Sequence, residues 1–306
     1  MMDAVAHWIA DPFAHAFMQR ALVEVVLMGA VTGAIGTYVV LRGLSFIGDA
    51  LSHAIFPGVV IAFLLGRSVF VGALAFGLLT SASIVVLTTT RRVKEDSAIG
   101  VLFAGSFALG VVLISTTRNY SRDLAAFLFG NILGVTPTDI ALSAGVAGLV
   151  LLLVVLLYKE LLLVAFDRDA AQAMGVPVFW MNLLLLAMIS LTIVVSLSAV
   201  GNILVVAMLI TPAATARLLT DRLPTMLALS AGLGAMSGVV GLLLSFHANV
   251  AAGGTIVLVA TGMFGAVWLL SPRHGLIASR LARRRLMAAP SPTGLEPVRP
   301  HPSDGR

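Results

Sequence analysis

The sequence predicts an all-α protein, a polytopic membrane helical bundle with eight or nine transmembrane helices, some of them broken or kinked. The composition is 59% hydrophobic and only 11% charged, and the mean hydropathy is +1.05, as is typical of proteins that cross a membrane many times. Nine apolar stretches approach the length of a membrane span. Glycine and proline lie inside several of these stretches, which favours interrupted helices.

A helix needs roughly 20 predominantly apolar residues to cross a bilayer. The stretches that approach this length are residues 21–41, 46–65, 69–90, 98–116, 138–157, 179–197, 201–219, 225–246 and 253–270. A further apolar piece, residues 125–135, is too short to cross. It predicts a re-entrant or interfacial segment, or the start of a longer broken helix.

The chain divides into three parts by composition. Residues 1–20 form an amino-terminal segment, residues 21–271 form the transmembrane domain, and residues 272–306 form a tail. The tail begins with a run of basic residues and continues as a polar segment rich in proline. Because such a composition cannot bury a core, we expect a disordered tail.

The charge pattern indicates how the chain is oriented. The net charge of +5 comes almost wholly from arginine, and cytoplasmic loops of membrane proteins carry such an excess without any nucleic acid partner. If the loop at residues 158–178 is cytoplasmic, alternation also places residues 91–94 and the basic run 273–285 inside. The carboxyl terminus is therefore predicted to be cytoplasmic. The chain has no cysteine, which excludes disulfide bonds and thiolate metal sites.

The most informative stretch is residues 42–66, RGLSFIGDALSHAIFPGVVIAFLLG, which carries two ionisable residues inside an apolar segment. Asp49 and His53 are four residues apart, so a helix places both side chains on one face. A charged side chain within a span costs about 2.5–3.5 kcal/mol on insertion scales and usually faces a bundle interior or a water path. A carboxylate and an imidazole are good ligands for a divalent transition metal. The pattern therefore predicts a metal pathway.

Two other interpretations of this pair stay open on the residues alone. Asp49 and His53 could form a structural hydrogen bond that satisfies both groups. They could also relay protons in a gradient-driven secondary transporter or channel. Gly48, Pro57 and Gly58 favour a pathway, because interrupted helices often line one.

A second stretch, FDRDAAQAMGVPVF at residues 166–179, predicts a short helix in a loop. Asp167 or Asp169 can cap its start, residues 170–174 are good helix formers, and Gly175 with Pro177 ends it. An exposed helix between spans is suited to contact another protein. The alternative is a solvated loop helix with no partner.

Smaller features concern helix packing and shape. Pro212 lies inside an apolar stretch, where a proline removes one backbone hydrogen bond and predicts a kink. Gly29 with Gly33, and Gly234 with Gly238, are spaced so that two helices can approach closely. We interpret these glycines as ordinary packing positions.

The chain lacks the motifs of an ATPase or a hydrolase. Its only lysines, Lys94 and Lys159, do not follow glycine, so no phosphate-binding GxxxxGK[ST] loop is present. No HExxH or GxSxG motif occurs. We therefore expect a protein that is not an enzyme, with any energy for transport supplied by a partner or by an ion gradient.

Four stretches in order resemble a known family. The run from Gly33 and Gly36 through VVLRGLSFIGDALSHAIFPGVVIAFLLG resembles the signature region of the permease subunits of bacterial ABC importers for manganese, zinc and iron. The three other stretches are LFGNILGV at residues 128–135, the FDRDAAQAMGV loop, and GNILVVAMLITPAATARLL at residues 201–219. The likeness covers roughly residues 20 to 270.

The resemblance implies a function and a set of partners. It implies a multi-pass subunit of the bacterial plasma membrane that pairs with a second permease subunit, with a homodimer as our expectation, and receives its ion from an extracytoplasmic metal-binding protein. A separate ATPase subunit would dock on the loop that contains Asp169, Ala170, Ala171 and Gly175. Asp49 and His53 match the positions that this family associates with the metal path. No permanently bound cofactor is implied, and the divalent metal, whether manganese, zinc or iron, would be the transported substrate.

Overall fold

The computed structural model describes residues 11–90, 92–116 and 132–271. This part of the chain is all-helical. Twelve α-helices follow one another in it: α1 Ala16–Leu41, α2 Ile47–Ala54, α3 Phe56–Leu64, α4 Val69–Thr89, α5 Glu95–Ser115, α6 Pro137–Leu156, α7 Tyr158–Phe166, α8 Arg168–Ala173, α9 Val178–Val200, α10 Asn202–Leu219, α11 Leu223–Ala248 and α12 Ala252–Leu270. Short 3₁₀ turns lie at Asp11–Ala14 and Ile132–Gly134.

Within the described residues, nine segments are long and apolar enough to cross a membrane, with α2 and α3 together forming one of them. The predicted all-α fold with eight or nine spans is thus confirmed. The boundaries differ most at α1, which begins at Ala16, and at α5, which begins with Glu95 and Asp96. An apolar stretch ends where charged residues begin, but a helix can extend past it. Acidic side chains in the first turn favour a helix because they interact with its dipole.

One span is interrupted, and two others are joined by a single residue. Between α2 and α3 the chain turns at Ile55, and Pro57 lies in the first turn of α3. Proline is tolerated there because the N–H groups of a first turn have no acceptor within the helix. Between α9 and α10 a single residue, Gly201, adopts a φ of 83°, a conformation that side chains other than glycine rarely take. The prediction of a broken span is confirmed at Ile55, whereas Gly201 joins two separate spans. Pro212, in contrast, lies inside α10, which continues through it.

The centre of the bundle is α1, which packs against α6, α10 and α11. At the α1–α11 contact, a Cβ built on Gly33 would lie 2.5 Å from the carbonyl oxygen of Ser230, and one built on Gly29 would lie 2.7 Å from the backbone of Gly234. Ser230 also donates a 2.6 Å hydrogen bond to the Gly33 carbonyl. Small residues are therefore required here, which confirms the packing interpretation of these glycines.

A buried acid joins α1 to α6. Glu24 is fully buried, and the hydroxyl of Ser143 donates a 2.7 Å hydrogen bond to its Oε1. This residue was not predicted from the sequence. Its hydrogen bond links two spans, and it is separate from the pair formed by Asp49 and His53.

Several predictions lie wholly or partly outside the described residues. Of the short apolar piece at residues 125–135, the structure describes only the 3₁₀ turn and Val135. The tail at residues 272–306 and the first ten residues are also outside. The division of the chain at residues 20 and 271 therefore stays a prediction.

Candidate functional site

The site is built on α2, the short helix that precedes the break at Ile55. Its eight residues form two complete turns, so Asp49 in the first turn and His53 in the last project from one face. The Oδ1 atom of Asp49 lies 3.6 Å from Nε2 of His53. This distance is too long for a hydrogen bond. The two side chains are therefore neighbours that do not form a hydrogen bond, and the geometry does not support the interpretation as a structural hydrogen bond.

Both side chains are partly exposed, and Asp49 lines a cavity. The Asp49 side chain is 43% exposed and that of His53 is 26% exposed. Asp49 lines a cavity of about 410 Å³, together with Ser45, Phe46 and, from α5, Asp96 and Phe103. Because the cavity reaches the carboxylate, a hydrated ion has room to approach it.

Aromatic side chains of α5 form a wall beside the imidazole. The ring centroids of Phe103 and Phe107 lie 5.7 Å and 5.4 Å from that of His53. The two phenyl rings stack on each other at 6.2 Å. This packing restricts the imidazole to few orientations, so its ring nitrogen is held toward Asp49.

A third polar residue, Asn202, reaches the same imidazole from α10. Its Nδ2 lies 3.4 Å from Nε2 of His53, and the residue is only 7% exposed. The sequence analysis included this residue in a motif but did not assign it to the site. The signal that would have found it is a polar amide directly after Gly201, at a helix break within an apolar region.

The described residues contain no group of three or more His, Cys, Asp or Glu side chains that could hold a metal ion. Asp49 and His53 are therefore a pair of ionisable donors rather than a closed cage. Such a sparse site suits an ion that passes through, because tight binding would trap it.

The predicted loop helix is present as α8. The carboxylate of Asp167 accepts hydrogen bonds from the backbone N–H groups of Asp169 and Ala170, at 3.0 Å and 2.9 Å, which caps the helix start. Gly175 has a φ of 79° and ends the helix. Of the residues assigned to contact a partner, Asp169 and Gly175 are exposed and Ala170 is half-buried.

One residue of that set faces inward. Ala171 is fully buried, so its methyl group packs α8 against the rest of the bundle and is not available to a partner. Phe166 and Met174, at the two ends of α8, are large apolar side chains that are exposed. They were not predicted as contact residues, because exposure cannot be judged from the sequence of a short loop.

A charged network connects α8 to the bundle. Glu95, the first residue of α5, accepts a 2.6 Å hydrogen bond from Arg42 through Oε1 and another from Arg168 through Oε2. The Arg42 side chain is only 3% exposed. Burial lowers the pKa of Arg42 to about 10 while the Glu95 carboxylate raises it, so Arg42 remains protonated at neutral pH. Its Nη1 has no partner among the described residues.

Comparison with known proteins gives a consistent result over nearly the whole chain. The model of the ABC 3 transport family matches residues 14–271. This match includes all nine membrane segments that the structure describes.

Curated relatives are transport proteins by name. The manganese transport system membrane protein MntC of Halalkalibacterium halodurans is 46% identical over 292 residues, which are 95% of this chain and all of the relative. The chelated iron transport system membrane protein YfeD of Yersinia pestis is 40% identical over 263 residues, which are 86% of this chain and 88% of the relative.

A solved structure shares the fold. It is that of PsaBC from Streptococcus pneumoniae in complex with Fab, and it matches with a TM-score of 0.78 at 40% identity. The match covers 92% of this chain and 99% of the other. The fold of this chain is thus shared with a solved structure over nearly its whole length.

Proposed function

The chain belongs to the ABC 3 transport family, and we propose that it is the membrane-spanning subunit of an ATP-driven importer that moves a divalent transition metal into the cytoplasm. The observation that carries this proposal is the position of Asp49 and His53. They lie on a broken span, on one face and 3.6 Å apart, both are partly exposed, and Asp49 lines a cavity. Two ligands that each bind one metal ion at about 2.1 Å lie roughly 3.0–3.4 Å apart. A small movement of either side chain brings the pair to that separation.

The metal is proposed from the donors and from the relatives together. One carboxylate oxygen and one imidazole nitrogen suit manganese, zinc and iron(II). The relatives are named for manganese and for chelated iron. We propose manganese as the first metal to test, with iron and zinc as its competitors.

The position of α8 supports docking of a separate ATPase subunit. The helix is capped and ended by the features that the sequence predicted, and Asp169, Met174 and Gly175 are exposed on it. Ala171 forms the side that packs against the bundle. In this proposal the face with α8 is cytoplasmic, and alternation then places the carboxyl terminus of the chain there too.

The charged network offers a route from α8 to the cavity. Arg168 of α8 is bound to Glu95, and the next residue of α5, Asp96, lines the cavity that contains Asp49. A helix moves as a rigid element, so a shift of α8 would displace the start of α5 and change the shape of the cavity. An extracytoplasmic metal-binding protein and a second permease subunit, in a homodimer, complete the proposed importer.

The test is metal accumulation in bacterial cells that lack their own manganese importer. The cells express this chain with its ATPase and binding protein, either intact or with Asp49→Ala or His53→Ala. Asp221→Ala is the matched control, because Asp221 is an exposed acid paired with Arg217 at 3.3 Å. We expect at least a tenfold loss of initial uptake rate in the two site variants and none in the control, at equal membrane levels.

The outcomes separate the pathway from the alternative function. Uptake by both site variants at the intact rate would refute the assignment of Asp49 and His53. Uptake that persists when the ATPase carries an inactivating substitution, but stops when the proton gradient is collapsed, would favour the proton relay in a secondary transporter instead.

A further inference from the structure

We infer that Asn202 supplies the third protein ligand of the transported cation, through its side-chain amide oxygen. The inference rests on the proposed function, since it extends the site formed by Asp49 and His53. It is carried by the burial of Asn202, by its distance from His53 and by the helix break that fixes its position.

The amide of Asn202 is buried with its hydrogen-bonding capacity incomplete. The residue is 93% buried, and its Oδ1 has no hydrogen-bond partner in the described part of the chain. An unpaired buried polar atom destabilises the fold. A half-turn of the amide would bring this oxygen beside the imidazole, where a cation would give it an electrophilic partner, with the nitrogen taking its former place.

Asn202 and Asp49 both lie near the same imidazole nitrogen, at distances close to those between two ligands of one ion. The Nδ2 atom of Asn202 lies 3.4 Å from Nε2 of His53, and Oδ1 of Asp49 lies 3.6 Å from the same nitrogen. A half-turn of the amide exchanges its nitrogen and oxygen, which occupy nearly equivalent positions. The amide oxygen then lies about as far from the imidazole nitrogen as two ligands of one divalent ion, roughly 3.0–3.4 Å.

The backbone holds Asn202 in this position. Gly201 joins α9 directly to α10 with a φ of 83°, and its carbonyl accepts a 3.2 Å hydrogen bond from the N–H of Val205. Further along α10, Leu209 packs so closely against α2 that a Cβ on Gly48 would lie 2.9 Å from its Cδ2. These contacts fix the start of α10 against α2, with the amide facing the imidazole.

The added oxygen changes the chemical preference of the site. With Asn202 the protein offers two oxygens and one nitrogen, a hard ligand set that suits Mn²⁺. A second imidazole in its place would make the set softer and would favour Zn²⁺. Asn202 is therefore a residue that determines specificity as well as a ligand.

The experiment measures Mn²⁺ binding to the purified complex of this chain with its ATPase, by titration calorimetry and by the loss of the free Mn²⁺ electron paramagnetic resonance signal. The variants are Asn202→Ala, Asn202→Asp and Asn202→His. Asn182→Ala is the matched control, because the Oδ1 of Asn182 is also buried without a partner among the described residues. Asn182 lies near the start of α9 and lines a cavity with Arg168, not with His53.

We expect the Kd for Mn²⁺ to rise about tenfold in Asn202→Ala and to stay within about threefold in Asn202→Asp and Asn182→Ala. Asn202→His should bind Zn²⁺ more tightly relative to Mn²⁺ than the intact chain does. A melting temperature equal to that of the intact complex shows that each variant is folded.

Each remaining outcome decides against the inference. If Asp49→Ala and His53→Ala weaken Mn²⁺ binding but Asn202→Ala does not, Asn202 is no ligand and the proposed function stands. If the Asp variant loses binding as fully as the Ala variant, the amide has only a packing role. If Asp49→Ala and His53→Ala bind Mn²⁺ as the intact chain does, the proposed site and this inference both fail.

Discussion

Two clusters of ionisable side chains in the described part of the protein differ in how the carboxylate is bound by its neighbours. In the network at α8, both oxygens of Glu95 accept 2.6 Å hydrogen bonds from arginine. In the site on α2, the carboxylate of Asp49 lies 3.6 Å from its neighbour His53 and faces a cavity. The first cluster is closed by its own side chains. The second has donors left for a ligand.

The difference indicates what each cluster can do. A carboxylate held by two guanidinium groups is already neutralised, and displacing either arginine costs a charge-assisted hydrogen bond. A carboxylate and an imidazole that are too far apart to bond gain more from a cation between them than from each other. Proximity of opposite charges alone would not distinguish these cases, whereas the distances and the exposure of the side chains do.

The largest expected effect on stability follows from removing the carboxylate of Glu95, which binds both arginines. Glu95→Ala leaves the buried guanidinium of Arg42 without its counterion, which should destabilise the protein by about 3 kcal/mol. The melting temperature of the detergent-purified protein measures this. Asp96→Ala, at the adjacent and exposed carboxylate, is the control for stability. A Glu95→Ala protein that melts at the temperature of the control would show that the network is not structural.

A smaller change, a stabilisation, is expected when Mn²⁺ binds at Asp49 and His53. A ligand that binds only the folded protein stabilises it by about 1.4 kcal/mol at a concentration ten times its Kd. Mn²⁺ should therefore raise the melting temperature of the intact protein and leave that of His53→Ala unchanged. The same titration with Mg²⁺ is the control, because Mg²⁺ prefers oxygen ligands and its own water. An equal rise in the His53→Ala protein would place the ion elsewhere.

The bond between Arg168 and Glu95 should contribute less to stability than the bond between Arg42 and Glu95. Arg168 is about one-third exposed, so its ion pair is partly screened by solvent, and Glu95 keeps its bond to Arg42 when Arg168 is removed. Arg168→Ala should cost about 1 kcal/mol or less. The comparison of its melting temperature with that of Glu95→Ala tests the order, and an equal loss in both would mean that the bond between Glu95 and Arg42 adds no stability.

The smallest effect is expected at an ordinary surface pair. Arg217 and Asp221 lie four residues apart at 3.3 Å, and both are exposed. Asp221→Ala should change the free energy of unfolding by no more than about 0.5 kcal/mol. A thermal melt at low and at high salt checks this, because the difference between the intact and variant proteins should shrink as salt screens the pair. A difference that is large, or that persists in high salt, would contradict this estimate.

Much of the membrane architecture was predictable from local features. The nine segments were visible as apolar stretches, the break in the second span followed from Pro57, and the cap and end of α8 followed from Asp167 and Gly175. The i and i+4 spacing placed Asp49 and His53 on one face. These features depend on composition, on backbone geometry and on neighbours within a turn or two of helix, all of which the sequence contains.

The sequence by itself determined that the chain is an all-helical membrane protein with an acid and a histidine on one face of a broken span. Only the tertiary structure decided that Asn202 meets His53 from a helix 149 residues away along the chain, that Glu95 binds two arginines, and that Ala171 faces inward. Each of these depends on how separate helices pack. In a bundle of uniformly apolar spans, the hydrophobic pattern does not distinguish one face of a helix from another, so the neighbours of each face are set by the close packing of small residues such as Gly29 and Gly33.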